Sequence, residues 1–141
     1  MRNSRAASQS GILIVDPDVK SRAVLRELME IVGYTVTAVA GAEEALEVLN
    51  PFRHRIILVE NELPQFSGLE LIREIRPLVP EAGIWVMIQV QDPLMVHEGE
   101  SLGIAGWLFK PLNEREVLER ITGWHRKEAV GGPEAVRGEA G

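Results

Sequence analysis

The chain has 141 residues, 45% hydrophobic content and a formal net charge of −6. This length is enough for one globular domain with a buried hydrophobic core. The acidic balance argues against a nucleic-acid-binding surface, and the lack of cysteine excludes disulfides and thiolate zinc sites. Because no apolar run approaches the roughly 20 residues of a transmembrane helix and the N-terminal stretch is a poor signal peptide, we expect a cytoplasmic protein without membrane contacts.

The pattern along the chain predicts alternating strands and helices. Residues 1–10 are polar and rich in serine, which predicts a flexible N-terminal lead. The apolar run Ile12–Val15 predicts the first strand, and a helix follows that is capped by Asp18 and ends at Gly33. The next predicted elements are a strand over Tyr34–Ala40, a short helix before Asn50-Pro51, a strand over Arg55–Glu60, and a helix capped by Ser67 and ended by Pro77 and Pro80. The last are a strand over Ile84–Ile88, a weak helix over Leu94–Leu102 that contains Gly99, a strand over Trp107–Phe109, and a helix from Asn113.

The end of the chain differs in composition from the rest. From residue 125 it is rich in Gly, Ala and Glu with little to bury, which predicts a disordered tail or linker over 125–141 and leaves 11–124 as the folded domain. Five strands alternating with five helices favour an α/β fold. We predict the flavodoxin-like form, a doubly wound five-stranded parallel sheet with helices on both faces.

Charged residues stand at the ends of three predicted strands. Asp16 ends the first, Glu60 ends the third, and Lys110 follows the fifth. The carboxyl ends of parallel strands meet at one edge of the sheet, which is where ligands bind in open α/β folds. The sequence therefore predicts a cluster of two acids and a base at that edge. The residues alone leave open whether the cluster is a working reaction centre or the remnant of one.

Several motifs occur together in a particular order. They are Ile12-Leu-Ile-Val-Asp16, Arg22, Gly33-Tyr34, Glu44-Ala-Leu46, Leu63-Pro64, Ser67 to Arg76, and Gly106 to Pro111. With these motifs, residues 11–122 resemble the receiver domain of bacterial two-component response regulators. The resemblance implies that two acids after the first strand bind a divalent cation, that an aspartate after the third strand accepts a phosphoryl group, and that a lysine contacts this group.

Three positions depart from the pattern of the family. Pro17 takes the place of the second acid, and Asp18 lies one residue too late to replace it, so we interpret Asp18 as a helix cap. Glu60 takes the place of the phosphoacceptor. Its extra methylene moves the carboxylate by roughly 1.5 Å, and misplacement by about 1 Å can cost a hundredfold in rate. Ile88 takes the position of the switch hydroxyl and cannot donate a hydrogen bond.

The longer side chain at position 60 has a second consequence. Glu60 can reach towards Lys110, and we predict an ion pair between the two side chains. Whether this pair mimics the phosphorylated state or is inert stays open. Trp107 occupies the mobile aromatic position of the family, where its bulk favours a fixed packing role over a switch.

Together these changes predict an atypical receiver, or pseudo-receiver, of phosphorelay-type signal transduction. We expect a protein that is not an enzyme, holds no cofactor or metal, and acts through protein–protein interaction without phosphorylation. The resemblance places a protein partner or homodimer contact on the fourth helix, fifth strand and fifth helix.

Two alternatives remain at this stage. One is a conventional response regulator that accepts phosphate on Glu60 or a nearby acid, with Mg²⁺ held by Asp16, Glu60 and Glu62. The other is a nucleotide-binding module at the same edge of the sheet. The second is disfavoured because no Gly-rich loop follows the first strand.

The histidines predict no further site. His54, His97 and His125 lack the spacing of metal ligands and are interpreted as surface or packing residues. The basic cluster of Arg53, His54 and Arg55 is interpreted as solvated.

Overall fold

Five strands and five α-helices alternate along residues 10–130, the part of the chain that the computed structural model describes. The strands are β1 (Gly11–Val15), β2 (Thr35–Val39), β3 (His54–Glu60), β4 (Gly83–Ile88) and β5 (Gly106–Phe109). The helices are α1 (Val19–Ile31), α2 (Ala42–Val48), α3 (Gly68–Ile75), α4 (Pro93–Ser101) and α5 (Glu114–Val130), and a 3₁₀ turn over Arg76–Leu78 follows α3. This order of elements confirms the order predicted from the sequence.

The strands form one parallel sheet in the order β2-β1-β3-β4-β5. This is the predicted flavodoxin-like topology. Val15 is in register with Val59, and Glu60 is in register with Met87. Because every strand runs the same way, the residues that end β1, β3 and β5 come to one edge of the sheet.

The central strands β1, β3 and β4 carry most of the core. Leu13 and Val15 of β1 belong to the apolar cluster that α2 and α3 cover. Successive strand residues point to opposite faces, so Ile12 and Ile14 point to the other face, where α1 packs against β1 and β2. Each fully buried aliphatic side chain stabilises the fold by about 1.5–3 kcal/mol. The unbroken apolar runs of these strands are therefore explained by cover on both faces.

Both predicted helix caps are present. Asp18 caps α1, and its carboxylate accepts a hydrogen bond from the backbone N–H of Lys20. Gly33 follows the end of α1 with a φ of 104°, a conformation that favours glycine. Ser67 caps α3 in a capping box with Glu70.

The start of α3 lies against the end of β3. A Cβ atom at Gly68 would come within 2.5 Å of the carbonyl oxygen of Glu60, so only glycine permits this approach. The Gly68 N–H donates to the carbonyl of Asn61 at 2.8 Å. The helix therefore holds the loop that follows the central strand.

The last helix is longer than the sequence predicts. Helix α5 continues to Val130, so residues 125–130 are helical and the predicted start of the tail at 125 is wrong. The rest of the predicted tail, residues 131–141, lies outside the described residues, as do residues 1–9 of the predicted N-terminal lead. Residues up to Pro111 form one unit that contains the sheet, and those from Leu112 form another that contains α5. Over residues 10–130, every helix is too short or too polar to pass through a bilayer.

His54 is buried, which corrects the prediction of a solvated cluster for this residue, whereas Arg53 and Arg55 are exposed as predicted. Its side chain is among the few buried polar groups, and Nδ1 accepts a hydrogen bond from the backbone N–H of Asn50 at 2.9 Å. Because an amide N–H can only donate, the ring proton is on Nε2, which donates to Thr37 Oγ1 at 3.2 Å. Burial lowers the pKa of His54, and the charge of Arg53 lowers it further. This histidine is a packing residue that joins β3 to β2.

Candidate functional site

A largely buried lysine joins two carboxylates at the carboxyl edge of the sheet. Lys110 Nζ lies 2.6 Å from Glu60 Oε1 and 2.9 Å from Asp16 Oδ2. The Asp16 side chain is fully buried, and those of Glu60 and Lys110 are only 8% and 11% exposed. Asp16 and Lys110 follow β1 and β5, and Glu60 is the last residue of β3, as their positions in the sequence predict. The predicted ion pair between Glu60 and Lys110 is present.

The charge of Lys110 is stabilised by its partners. Burial acts to lower the pKa of its ammonium group, but the hydrogen bonds to Glu60 and Asp16 outweigh burial and raise the pKa above its usual value. Lys110 is therefore charged at neutral pH. Removing one partner from such a buried cluster leaves an uncompensated charge, which costs about 3–5 kcal/mol.

The backbone occupies the other oxygens of the two carboxylates. Glu60 Oε2 accepts from the backbone N–H of Glu62 at 2.9 Å, and Asp16 Oδ1 accepts from the backbone N–H of Asp18 at 2.9 Å. Each of the four carboxylate oxygens thus already accepts a hydrogen bond or ion pair from the chain itself.

Asp18 does not join the ion cluster. Its Oδ2 accepts from the hydroxyl of Ser21 at 2.9 Å and its Oδ1 from the N–H of Lys20 at 3.3 Å. The hydrogen bond from Ser21 is the main reason why the pKa of this carboxyl is lowered. Its observed role is the predicted one of a helix cap.

The pocket offers fewer side-chain oxygens to magnesium than the family pattern does, because Pro17 stands at the position of an acid. Magnesium needs near-octahedral oxygen ligands and usually carboxylates among them. Asp16 and Glu60 are both held by Lys110, and the side chain of Pro17 carries no oxygen. The Glu62 side chain is exposed, and its contribution to the pocket is the backbone N–H. Within residues 10–130, no three acids or histidines are arranged to hold a metal ion.

Ile88 ends β4 as an apolar core residue. Its side chain is 1% exposed and belongs to the main hydrophobic cluster. Its carbonyl oxygen accepts from the backbone N–H of Lys110 at 2.8 Å. The residue therefore fixes the backbone of the lysine, and its side chain offers no hydrogen bond to the pocket.

Trp107 of β5 is packed inwards. It is partly buried against the main hydrophobic cluster, and its indole ring contacts α4 at Gly99. Gly99, which weakens the helix in the sequence pattern, is buried beneath the ring. The contact between these two residues favours the fixed packing role.

Two residues support the site but were not among its predicted members. Arg22 Nη1 donates to the carbonyl oxygen of Asp16 at 2.7 Å, although the periodicity of α1 places Arg22 on the outer polar face. Arg22 lies one turn after the start of α1 and six residues after the buried Asp16. This spacing is the feature of the sequence that could have predicted the contact. Asn61 Oδ1 accepts from the N–H of Leu69 at 3.2 Å and so fixes the first turn of α3. An asparagine between a buried strand and a capped helix is typical of such a contact.

Comparisons with known proteins agree with the fold and the motifs. Residues 12–122 match the family model of the response regulator receiver domain. The transcriptional regulatory protein CpxR homolog of Haemophilus influenzae is 30% identical over 120 residues, which cover 85% of this chain and 52% of that protein. The chemotaxis protein CheY of Thermotoga maritima is 28% identical over 111 residues, which cover 78% of this chain and 92% of that protein. The chain thus spans about half the length of the first relative and most of the second.

A solved structure shows the same architecture. The CheY-like response regulator receiver domain protein of Methanospirillum hungatei superposes with a TM-score of 0.80 at 25% sequence identity. The superposition covers 85% of this chain and 96% of that one. The fold and the sequence motifs therefore both indicate a response regulator receiver domain.

Proposed function

Because this chain belongs to the response regulator receiver domain family of two-component signalling, we propose that it is an atypical receiver, or pseudo-receiver. On this proposal it binds a protein partner without being phosphorylated. It is a cytoplasmic binding module with no enzymatic activity and no cofactor, and it does not bind nucleic acid or membranes. The observation that carries the proposal is that both carboxylate oxygens of Glu60 already have partners, Lys110 and the N–H of Glu62.

The geometry of Glu60 is unsuited to phosphoryl transfer. An acceptor oxygen must be free to approach phosphorus in line, and Glu60 Oε1 is held 2.6 Å from Lys110 Nζ. Releasing that oxygen breaks a buried ion pair, which is costly. The longer glutamate also moves the oxygen away from the position that an aspartate would give it.

Two further positions support the same proposal. Pro17 has no side-chain oxygen for a cation, and Ile88 has no hydroxyl for a phosphoryl oxygen. Each change alone weakens one part of the phosphorylation chemistry. Together they remove the metal ligand, the aspartate and the hydroxyl from one pocket, while Lys110 and Asp16 remain.

On this proposal the ion pair holds the pocket in one state. The family's lysine contacts the transferred phosphoryl group, and in this chain a carboxylate of the same molecule reaches Lys110 instead. No donor has to deliver that negative charge. The receiver would therefore present its binding surface without a phosphorylation signal.

The proposed docking face, called the α4–β5 face below, is formed by the loop after β4, the start of α4 and the end of β5. Three apolar side chains are exposed there: Val90 at 77%, Leu94 at 82% and Phe109 at 52%. An ion pair between Arg73 of α3 and Glu98 holds α4 against its neighbour. Exposed apolar residues at one end of neighbouring elements are typical of a protein contact. The partner is a second copy of this chain or another protein.

Intact-mass measurement tests the mechanism. The protein is incubated with Mg²⁺ and acetyl phosphate, next to a receiver that retains the aspartate of the family as a positive control. We expect a phosphate-sized adduct on the control and none on this chain. An adduct mapped to Glu60 would overturn the proposal and support the conventional response regulator.

A charge substitution tests the docking face. Leu94→Lys places a charge on the exposed apolar surface, and Val19→Lys, at a position 67% exposed on α1, is the matched control. We expect Leu94→Lys to abolish self-association in light scattering, or partner capture in a pull-down, whereas Val19→Lys leaves it intact. Equal behaviour of the two variants would exclude this face.

A further inference from the structure

An open cleft of ≈ 580 Å³ lies at the same edge of the sheet as the ion cluster. Its walls are Pro17, the segment 40–44 with Leu46 of α2, and the loop 63–66 after β3. The volume is within the range of about 300–1,000 Å³ that is typical of ligand sites. None of its lining residues belongs to the α4–β5 docking face, so the cleft is a separate surface.

The walls of the cleft are mainly apolar. Leu63 and Phe66 are partly buried and pack from one side on the main hydrophobic cluster. Leu46 is 40% exposed although it is a large apolar side chain. Pro17, which takes the place of an acid in the family pattern, supplies another apolar wall. A partner that covers these side chains would gain about 25 cal/mol for each Å² of apolar surface removed from water.

The charge of the lining has one sign. Its charged residues are Glu43 and Glu44, and among residues 10–130 no lysine, arginine or histidine lines the cleft. Glu44 Oε1 accepts from the backbone N–H of Ala40 at 3.1 Å, whereas the Glu43 side chain is exposed at the rim. The complementary ligand is therefore both apolar and positively charged.

From this combination we infer that the cleft binds a short protein segment in which basic and apolar side chains alternate. Its apolar side chains lie between Pro17, Leu46 and Phe66, and a lysine or arginine pairs with Glu43. Because the cleft is open to solvent, it can admit part of a longer chain. This site goes beyond the proposed function, because it does not involve phosphorylation or the α4–β5 face.

Three fluorescent decapeptides test the inference. One alternates Arg and Leu, one alternates Glu and Leu, and one alternates Arg and Ser. Fluorescence anisotropy measures their Kd values for the full chain, and amide chemical shifts locate the bound peptide. We expect only the Arg/Leu peptide to bind, with shifts at Gly41, Leu46, Gln65 and Phe66.

Matched variants separate the cleft from general adsorption. Leu46→Ser is expected to weaken the binding of the Arg/Leu peptide about tenfold. Its control is Val48→Ser, on the same helix but outside the lining. Glu43→Gln is expected to weaken the binding of the same peptide about two- to fivefold, and Glu47→Gln is its control. Thermal melting of each variant establishes that the fold is retained.

Three results would overturn the inference. The first is binding of the Arg/Ser peptide with the same Kd as the Arg/Leu peptide. This would mean that the peptides are attracted only by the net charge of −6 of the protein. The second is a pattern of chemical shifts confined to α4 and β5. The third is the absence of any Arg/Leu binding up to millimolar peptide.

Discussion

The indole ring of Trp107 rests directly on Gly99. A Cβ atom at position 99 would lie 2.6 Å from Cζ2 and 2.9 Å from Cη2 of the ring, and 3.0 Å from Ile104 Cδ1. These distances are shorter than van der Waals contact. The glycine that weakens α4 is therefore also the residue that lets the tryptophan pack inwards.

Gly99→Ala is expected to destabilise the protein by about 1–3 kcal/mol, because the added methyl overpacks the contact with Trp107. In an open helical site the same change stabilises by about 0.5–1 kcal/mol. Gly123→Ala in α5 is the matched control, since over the described residues no other side chain or segment lies within 4 Å of a Cβ there. Urea unfolding measures both, and a stabilising Gly99→Ala would show that the ring is free to move aside.

Lys110→Met is expected to destabilise the protein by about 3–5 kcal/mol, because it leaves Asp16 and Glu60 buried without their counter-charge. Lys20→Met, at an exposed position, should stay within about 0.5 kcal/mol of the original chain. Adding Glu60→Leu to Lys110→Met should recover part of the loss. A change of less than about 1 kcal/mol for Lys110→Met would mean that the cluster is solvated in practice.

The folding stability should fall as pH drops below about 6.5, the usual pKa of histidine in an unfolded chain. The folded pKa of His54 is lowered, so in this window the unfolded chain binds more protons than the folded one. The contribution of neutral His54 is thus complete above the unfolded pKa and is lost as pH falls towards the folded pKa. The slope can reach about 1.4 kcal/mol per pH unit.

Urea unfolding between pH 5 and 7.5 checks this dependence. His54→Asn, which retains an acceptor for the N–H of Asn50, should flatten the curve in this range. His97→Gln, at an exposed position on α4, should leave the curve unchanged. If both variants keep the original slope, another group is responsible.

Arg76→Met is expected to destabilise the protein by about 2–4 kcal/mol. One nitrogen, Nη2, donates to the carbonyl oxygens of Val79 at 2.7 Å, Pro80 at 2.8 Å and Ala82 at 2.9 Å. These carbonyls belong to the segment between α3 and β4, and the guanidinium therefore fixes the backbone of this segment. Arg76→Lys should recover only part of the loss, because a single ammonium nitrogen cannot also reach the carbonyl oxygen of Gly103, to which Arg76 Nη1 donates at 3.3 Å. Full recovery by lysine would show that charge alone matters.

Rebuilding the family's acids tests the proposed loss of phosphorylation. Glu60→Asp alone should stay unmodified by acetyl phosphate and Mg²⁺, because Pro17 still offers no ligand. The double variant Pro17→Asp/Glu60→Asp restores the second acid and the shorter acceptor, and it should gain a phosphate-sized adduct. Intact mass compares the two. Equal labelling of both variants would show that position 17 does not limit the chemistry.

The predictable features are those that depend on neighbouring residues or on the direction of the strands. Asp18 and Ser67 were identified as caps because each lies next to the helix that it caps. The pair of Glu60 and Lys110 was predicted although the residues are distant in sequence, since parallel strands bring their carboxyl ends to one edge.

The features that were missed depend on contacts that no local pattern of side chains reports. His54 lies between two arginines, which indicates solvent, but its partner Thr37 is on another strand. The low helix propensity of Gly99 is visible in the sequence. The contact with the ring of Trp107, which requires a glycine at this position, is not. Arg22 reaches back to a backbone carbonyl, and no periodicity of side chains reports such a contact.

All three charged groups of the ion cluster belong to a single polypeptide. The attraction between them is therefore present as soon as the chain folds, with no ATP consumed and no second protein needed to create it. On the proposed function, a cell would control the output by how much of this protein it synthesises and degrades.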